Sequence, residues 1–393
     1  MNKPSLLIVT AVMTFMIVFL PPSNKAWLYK WEAILPENTQ ESSLPQMDGG
    51  KDHPGLDQES ISSKQGIQVA SSSKPLPSSF SVQAQNQKGI AYVKLDDIVK
   101  HVPIQANVDK KNGEITLQLA QSTYQLLRDV PVLNKNGIHV PLAEAPMFDE
   151  NDEVWLPISL FQQEWKQNIK VNGEFAYWQF DPNIIPASAK PEKVSKLSKE
   201  QMAQYLSFLN TPIEGAHVTK RASSLPGAPR TYRNGVHEGL DWYSNDTGIS
   251  ITKKTPVVSM ADGIVVRADL GYEEMTTSQR NRLLSIGVKN DKQTPAYILD
   301  KLRGRSVWVQ YDNGVLARYV HLDRVSDQIQ VGQRIRTGER IGYVGNSGTS
   351  DGALGNDKGL HLHLDLFIYG EWFWKDYSMD ERLYILEQVF NSK

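Results

Sequence analysis

The carboxy-terminal part of the chain, beyond Pro226, is a series of short apolar runs separated by glycine-rich turns. Such runs, bounded by glycine and polar turn residues, are typical of β-strands. We therefore predict that residues 225–393 form an all-β domain with antiparallel sheets. The predicted strands cover residues 257–268, 306–312, 315–321, 340–344 and 361–368.

Residues 86–183 have a different character and contain a weak internal repeat. Each copy is predicted to form a strand, a short helix and a hairpin, which turns at Asn112-Gly113 or at Asn172-Gly173. A small duplicated α+β domain is therefore expected. The repeated segments are Ala91-Tyr-Val-Lys-Leu-Asp-Asp-Ile-Val with Val108-Asp-Lys-Lys-Asn-Gly-Glu-Ile-Thr-Leu, and Val154-Trp-Leu-Pro-Ile-Ser-Leu-Phe-Gln with Val171-Asn-Gly-Glu-Phe-Ala-Tyr-Trp.

This repeat resembles the duplicated domain named after the amino-terminal region of copper amine oxidases, which is common as a stalk in exported proteins of Gram-positive bacteria. The resemblance brings no catalytic motif and implies a spacer or a wall-binding module. His101 and His139 lie in this domain, and we predict that they are structural or exposed rather than metal ligands.

Polar stretches lie on both sides of the repeat. Residues 37–85 are rich in Ser, Pro, Gln, Gly and Asp and cannot bury enough apolar surface to fold, so they are predicted to be a disordered tether. Residues 184–224 are predicted to be a linker that includes a helix near 197–209, with Ser198 and Gln201 spaced for a capping box. His53 in the tether is expected to be solvated, and His217 to be structural.

Residues 1–36 have the layout of an export segment, with Lys3 before an apolar run from Leu6 to Leu20. No small-residue cleavage site follows the run, and Trp27, Tyr29 and Trp31 resemble an interfacial aromatic belt. The sequence therefore favours an uncleaved membrane anchor, with the carboxy-terminal part outside the cell. Secretion after cleavage of a signal peptide is the alternative.

Composition excludes several kinds of site and partner. The chain has no cysteine, so disulfides, thiolate zinc sites and a cysteine nucleophile are excluded, and any metal must be held by His, Asp or Glu. The net charge of -2 gives no broad cationic field, which argues against nucleic acid as a partner. The oligomeric state is left open.

Two histidine motifs in the predicted β domain carry candidate chemistry. On a strand, residues two apart project from the same face, so His361 and His363 can reach one site. Two imidazoles from among His237, His361 and His363, together with the carboxylate of Asp241, would form a three-ligand catalytic zinc site with an open position. Zinc in such a site activates water and polarises a carbonyl. The HExxH motif is rejected because position 241 is Asp, and because Gly239 weakens the helix that this motif needs.

Residues from about Leu225 to Trp374 resemble the lysostaphin and LytM family of peptidoglycan endopeptidases, whose domain is a barrel-sandwich of antiparallel strands. The resemblance implies that His237, Asp241 and His363 bind Zn²⁺ and that His321 and His361 are catalytic residues beside the substrate, a peptidoglycan stem peptide or cross-bridge. It rests on the following motifs in this order: Tyr-Arg-Asn-Gly-Val-His237-Glu-Gly-Leu-Asp241, Thr255-Pro-Val-Val-Ser-Met-Ala-Asp-Gly-Ile-Val, Leu316-Ala-Arg-Tyr-Val-His321-Leu, Val331-Gly-Gln-Arg-Ile-Arg-Thr-Gly-Glu-Arg-Ile-Gly-Tyr-Val-Gly-Asn-Ser-Gly and Gly359-Leu-His361-Leu-His363-Leu.

The roles of the two remaining histidines are left open between them. One of His321 and His361 should take the proton of the attacking water, and the other should stabilise the oxyanion or protonate the leaving amine. Asp365 continues the alternation on the same strand face, and it could accept a hydrogen bond that orients a ligand imidazole.

Two insertions depart from the family pattern. The first lies between Ala268 and Ser306, with a predicted helix near 276–286 and another that starts at Thr294-Pro295 as N-cap and first-turn residue. The second covers residues 350–359. Both are expected at the edge of a groove, where they bear on specificity.

Two alternatives remain. The first is a non-enzymatic member of the same fold that serves as a wall-binding scaffold or as an activator of another hydrolase. The second is a biotinyl or lipoyl carrier, but the lysine that such a domain needs is absent before Met260, where Ser259 is found.

Overall fold

The structure is a computed structural model that describes residues 78–186, 196–290 and 293–391. The predicted anchor at residues 1–36 and most of the predicted tether lie outside these ranges. Within them, no helix is both long enough and apolar enough to cross a membrane.

The amino-terminal module comprises residues 78–186 and contains two antiparallel sheets. One sheet has the strand order β10-β11-β1-β2-β9-β8, and the other is the meander β3-β4-β5-β6-β7. The elements are β1 Ser78–Gln87, β2 Ile90–Lys94, α1 Leu95–His101, β3 Gln105–Asp109, β4 Glu114–Leu119, β5 Ser122–Leu127, β6 Val132–Lys135, β7 Ile138–Pro141, β8 Met147–Phe148, β9 Val154–Pro157, α2 Ile158–Gln163, β10 Asn168–Asn172 and β11 Phe175–Phe180.

The predicted repeat is present in this module. In the first copy β2 leads into α1 and then into the hairpin of β3 and β4, and in the second copy β9 leads into α2 and then into the hairpin of β10 and β11. The first hairpin has a four-residue loop, 110–113, and the second has the two-residue loop Gly173-Glu174, so neither is a two-residue Asn-Gly turn. Gly113 and Gly173 have φ values of +72° and +60°, in the left-handed region that glycine adopts without strain.

The first strand begins earlier than the sequence predicted. β1 starts at Ser78, inside the stretch that was assigned to the tether, and pairs with β11 and β2. The strand forms because Val82 and Ala84 alternate with polar residues and turn into the core, which the polar composition of residues 37–85 concealed.

The carboxy-terminal module comprises residues 196–391 and contains a seven-stranded and a three-stranded sheet that share one hydrophobic core. The large sheet has the order β14-β22-β18-β17-β16-β20, with β23 paired to β22, and the small sheet has the order β15-β21-β19. The elements are α3 Lys199–Tyr205, β12 Pro229–Arg230, β13 Gly235–Val236, β14 Leu240–Tyr243, β15 Pro256–Val258, β16 Gly263–Ala268, α4 Thr277–Lys289, α5 Ala296–Leu302, β17 Val307–Tyr311, β18 Val315–Val320, β19 Arg324–Val325, β20 Arg334–Ile335, β21 Arg340–Tyr343, α6 Ser350–Ala353, β22 His361–Ile368, β23 Glu371–Trp372 and α7 Met379–Phe390.

The prediction of mostly antiparallel β-structure in this module is confirmed. The predicted strand over residues 257–268 is in fact two strands, β15 and β16, because the chain turns at Ala261 and Asp262 and changes sheet. The helix α3 has both bonds of the predicted capping box, with Ser198 and Gln201 each accepting from the backbone of the other.

The first insertion forms the helices α4 and α5, as predicted. However, α5 has Pro295 rather than Thr294 at its N-cap. The side chain of Thr294 instead faces Gly287 of α4, where a Cβ would lie 2.9 Å from its hydroxyl oxygen. The contact between the two helices, rather than a cap, therefore fixes the position of Thr294.

The two modules pack together on one face of the large sheet. Val130 and Val132 of the amino-terminal module form a hydrophobic cluster with Val266, Trp308 and other residues of β16, β17 and β18. The backbone N–H of His139 donates to Oε1 of Gln310 at 2.9 Å. On β22, residues 361, 363 and 367 project from this same face. His361 and His363 lie at one end of the strand, and Phe367, near the other end, packs against the cluster that joins the modules.

Candidate active site

Three potential metal ligands lie next to one another on the large sheet. Asp241 in β14 is directly opposite His363 in β22, so their side chains project from the same face. Oδ1 of Asp241 is 2.9 Å from Nδ1 of His363 and 3.1 Å from Nε2 of His237, and the two nitrogens are 3.0 Å apart. All three residues are buried. They form the group of the described residues whose geometry could hold a metal ion.

His237 and His363 each make a hydrogen bond to a group outside the cluster. That bond determines which ring nitrogen carries the proton and which one directs a lone pair toward the cluster. Nδ1 of His237 is 3.1 Å from the carbonyl oxygen of Leu225, which can only accept, so Nδ1 carries the proton. Nε2 of His363 is 2.8 Å from Oδ1 of Asp365, which fixes the other tautomer for that ring. The neutral rings therefore turn Nε2 of His237 and Nδ1 of His363 toward the Asp241 carboxylate as bare acceptors.

Three acceptors at about 3 Å repel one another unless a cation or an extra proton lies between them. Burial disfavours the charged forms of both His363 and Asp241. The opposite charges around each residue favour those forms more strongly. Asp365 and Asp241 raise the pKa of His363 to about 9. His237, His361 and the hydrogen bonds of the cluster hold the pKa of Asp241 well below its usual value. The donor set of two imidazole nitrogens and one carboxylate oxygen fits Zn²⁺.

His321 and His361 lie beside this group, and both are held by their Nδ1 atoms. Nδ1 of His321 donates to the carbonyl oxygen of Ser347 at 2.7 Å, and Nδ1 of His361 donates to that of Gly359 at 2.8 Å. The two ring centroids are 4.9 Å apart, and the His321 and His363 centroids are 5.8 Å apart. Each ring therefore keeps an Nε2 lone pair that can exchange a proton near the cluster.

Burial keeps both of these imidazoles neutral. It is the largest cause of a pKa below the usual histidine value in His321 and in His361. Nearby histidines lower the pKa of His321 further, whereas the Asp241 carboxylate partly opposes the shift in His361. The ring of His361 is also stacked on Tyr243, with centroids 4.4 Å apart.

Asp365 occupies the position that the strand alternation predicted and bonds to His363. It is fully buried, and its second oxygen accepts from Nε of Arg303 at 3.0 Å and from Nη2 of Arg318 at 2.9 Å. Burial alone would raise the pKa of Asp365, but the two guanidinium groups hold it well below its usual value. The carboxylate is therefore charged and fixes the tautomer of His363.

The sequence analysis missed Arg303, Arg318 and Ser347. Arg318 alternates with Ala317 and Tyr319 on a strand that was predicted, so its position opposite Asp365 follows from strand register once β18 and β22 are paired. Arg303 lies in the first insertion and Ser347 in a turn, and no sequence signal placed either beside the site.

The segment between His237 and Asp241 is not a helix, which confirms the rejection of the HExxH motif. A Cβ at position 239 would lie 2.3 Å from the carbonyl oxygen of Leu364, so glycine is required for the chain to approach β22. Glu238 pairs with Arg233, with Oε2 and Nη2 2.7 Å apart.

The other described histidines lie outside the site. His101 stacks on Phe80 with ring centroids 4.6 Å apart. His217 lies against Gly248. His139 lies at the junction of the modules, where burial and the charge of Arg318 lower its pKa to about 3. The predictions that these three are not ligands agree with their positions, whereas His53 lies outside the described residues.

Comparison with known proteins identifies the class of the carboxy-terminal module. Residues 236–373 match the model of a family described as Peptidase family M23. This range contains all five predicted site residues. No relative was found among curated protein sequences.

Several solved structures are similar to parts of the chain. Csd3 of Helicobacter pylori is 13% identical over 66% of this chain and 42% of its own, with a TM-score of 0.25. The catalytic domain of lysostaphin from Staphylococcus simulans is 18% identical over 46% of this chain and 90% of its own, with a TM-score of 0.23. The catalytic domain of EnpA, a prophage-encoded M23 protein of Enterococcus faecalis, solved as a mutant, is 17% identical over 42% of this chain and 92% of its own, with a TM-score of 0.26. The chain thus spans less than half the length of Csd3.

Residues 236–373 of the carboxy-terminal module are a peptidase family M23 domain, and the resemblance to the lysostaphin and LytM family is confirmed. The resemblance of the amino-terminal module to the copper amine oxidase domain stays a prediction.

Proposed function

We propose that the chain is a zinc-dependent endopeptidase that hydrolyses peptide bonds in peptidoglycan stem peptides or cross-bridges. The observation that carries the proposal is the group of three inward-facing acceptors, His237, Asp241 and His363, with two further histidines beside it. The match to the M23 family supports the substrate class. Bound Zn²⁺ supplies a Lewis acid, which lowers the pKa of water and polarises a carbonyl.

The protein's own residues move the protons. Hydrolysis of a peptide bond takes one proton from water and delivers one to the leaving amine. Nδ1 of His321 and Nδ1 of His361 each donate to a backbone carbonyl oxygen, which orients the rings. Nε2 of each ring therefore carries the lone pair and can accept or return a proton without rotation of the ring. The assignment of base and acid between them is left open.

The experiment is mass spectrometry of fragments that the full chain releases from purified peptidoglycan in the presence of zinc. We expect new peptide termini, and their sequence names the bond that is cut. His363→Ala should release none, whereas the matched control His217→Ala, which lies outside the cluster, should release the same fragments as the wild type.

A folded chain that binds zinc and releases no fragment would contradict the proposal. That result would favour the alternative that the chain is a non-enzymatic member of the same fold, which serves as a scaffold or as an activator of another hydrolase. Release of fragments by His363→Ala would contradict the role of the cluster.

We also propose that residues 1–36 hold the chain in a membrane as a single-pass anchor, with the M23 domain outside the cell. The support is the apolar run from Leu6 to Leu20 and the aromatic residues that follow it. Full-length chain in the membrane fraction, accessible to external protease, is the expected result. A shortened chain in the medium would instead indicate a cleaved signal.

A further inference from the structure

We propose that the amino-terminal module is a positioning element for His321 and that it acts through the helix α5 of the first insertion. The inference rests on the proposed function, in which His321 is a catalytic residue. It goes beyond a spacer role, because it makes the geometry of the active site depend on a contact between the modules.

The first step is the contact of the β3–β4 hairpin with α5. The backbone N–H of Tyr297 donates to the carbonyl oxygen of Asn112 at 3.4 Å. The guanidinium of Arg128 lies 4.9 Å from the centre of the Tyr297 ring, and Nζ of Lys301 lies 2.8 Å from Oδ2 of Asp129. The hairpin holds α5 by the hydrogen bond, and the turn that follows β5 holds it by the cation–π contact of Arg128 and the ion pair of Asp129.

The second step is the chain that follows α5. The carbonyl oxygen of Arg303 accepts from the backbone N–H of His321 at 3.1 Å, and that of Arg305 accepts from Leu322 at 3.0 Å. The backbone N–H of Arg305 donates to Oγ of Ser347 at 2.9 Å. Residues 303–305 thus lie between the His321 backbone and the residue whose carbonyl oxygen orients its ring.

The packing of this segment leaves little room for movement. A Cβ on Gly304 would lie 2.4 Å from the carbonyl carbon of Ser347 and 2.6 Å from the backbone nitrogen of Gly348. Two backbones therefore touch directly, and a displacement of α5 is passed to Ser347 rather than absorbed by side chains.

His321 is a residue whose conformation needs such support. Its φ is +61°, in the left-handed region that a side chain with a Cβ rarely adopts, and such residues persist only where the surroundings fix them. The bond from its N–H to Arg303 and the bond from its Nδ1 to Ser347 supply that constraint. Arg303 belongs to the segment that follows α5, and Ser347 contacts that segment.

The two Asn-Gly hairpins provide a matched pair of variants. Gly113 and Gly173 have similar positive φ values, so alanine strains the backbone similarly at both. A Cβ on Gly113 would lie 2.9 Å from both the Tyr297 ring and Cβ of Arg128, whereas a Cβ on Gly173 would meet nothing within 4 Å. Alanine at position 113 therefore collides with the Tyr297 ring of α5, whereas alanine at position 173 makes no such contact.

The experiment measures kcat and KM of the full chain on soluble cross-linked muropeptides for Gly113→Ala and Gly173→Ala. We expect Gly113→Ala to lower kcat by roughly three- to thirtyfold with KM unchanged, because His321 acts on the reacting atoms rather than in ground-state binding. Gly173→Ala should keep the kcat of the wild type. Tyr297→Ala, which removes the contacted ring from the other side, should repeat the loss.

Hydrogen exchange at residues 320–323 gives a readout that does not require activity. The amides of His321 and Leu322 should exchange faster in Gly113→Ala than in Gly173→Ala, because their acceptors are Arg303 and Arg305. If the wild type cleaves no substrate, the proposed function fails and this comparison still decides whether the module positions His321. Equal kcat and equal exchange in the two glycine variants would overturn the inference.

Discussion

The two modules differ in what they bury. Within residues 78–186, the buried side chains are aromatic and aliphatic, with Ser122 and Gln167 as the polar exceptions and no buried charged residue. The carboxy-terminal module buries a comparable apolar core together with charged groups around the site. These are Asp241, Asp300, Arg303, Arg318 and Asp365.

The difference separates residues that serve stability from residues that serve the site. Buried ion pairs often contribute no more to stability than well-packed apolar residues would, because desolvation offsets the Coulomb attraction. Asp241 and Asp365 bond to the ring of His363. Arg303 and Arg318 bond to Asp365, whereas Asp300 pairs with Arg267. Four of the five buried charges therefore fix the imidazole that faces the cluster. The amino-terminal module contains no buried charged residue among its described residues.

The largest expected effect is loss of a ligand. His363→Ala removes the inward-facing Nδ1 and should lower peptidase activity by roughly a thousandfold or more, because a metal contributes several kcal/mol of transition-state stabilisation. His101→Ala, in the amino-terminal module, should leave the activity unchanged. Cleavage of muropeptides at equal zinc concentration measures both activities. Equal activity of the two variants would contradict the claim that the site lies in the carboxy-terminal module alone.

The second effect is a loss of stability without loss of the site. Phe161→Ala creates a cavity among the buried rings of Trp165 and Trp178 and should lower the free energy of unfolding of the amino-terminal module by about 3–5 kcal/mol. Zinc affinity should not change under native conditions. Denaturant unfolding and a zinc titration measure the two quantities, and a parallel fall in zinc affinity would contradict the separation.

The third effect falls on the charged network. Asp365→Asn keeps the shape of the side chain but removes the charge that holds His363, Arg303 and Arg318. We expect zinc affinity to fall by about 10- to 100-fold. Isothermal titration calorimetry with zinc tests this. An unchanged zinc affinity would indicate that the buried charges contribute to stability and not to zinc binding.

The smallest effect concerns the helix α3. Ser198→Ala removes one bond of the capping box and should cost about 1 kcal/mol. Because α3 packs into the core of the carboxy-terminal module with α7, the loss should appear in the unfolding of that module. A shift in the unfolding of the amino-terminal module would place α3 with the other domain.

Much of the candidate site could be predicted because its residues stand in short motifs on strands. The alternation of His361, His363 and Asp365 follows from strand geometry, and the spacing of His237 and Asp241 adds the partner strand. The family resemblance then divided the five residues into ligands and catalytic histidines, a division that the structure is compatible with but does not test.

The parts that escaped prediction depend on contacts between residues far apart in sequence. Arg303 lies in the first insertion and reaches Asp365 across 62 positions, and Ser347 meets His321 across 26. The docking of the amino-terminal module on the large sheet was missed for the same reason. Val130 and Val132 have the same pattern as any buried strand, and nothing in sequence says which surface they cover.

Zinc dependence is tested most directly by measuring peptide-bond cleavage by the chelator-stripped full chain as zinc is added back. We predict no cleavage without metal, a rise in rate up to one equivalent of zinc and a plateau beyond it, with no recovery for His363→Ala. Full activity of the metal-free chain, or no activity when one equivalent of zinc is bound, would contradict this prediction.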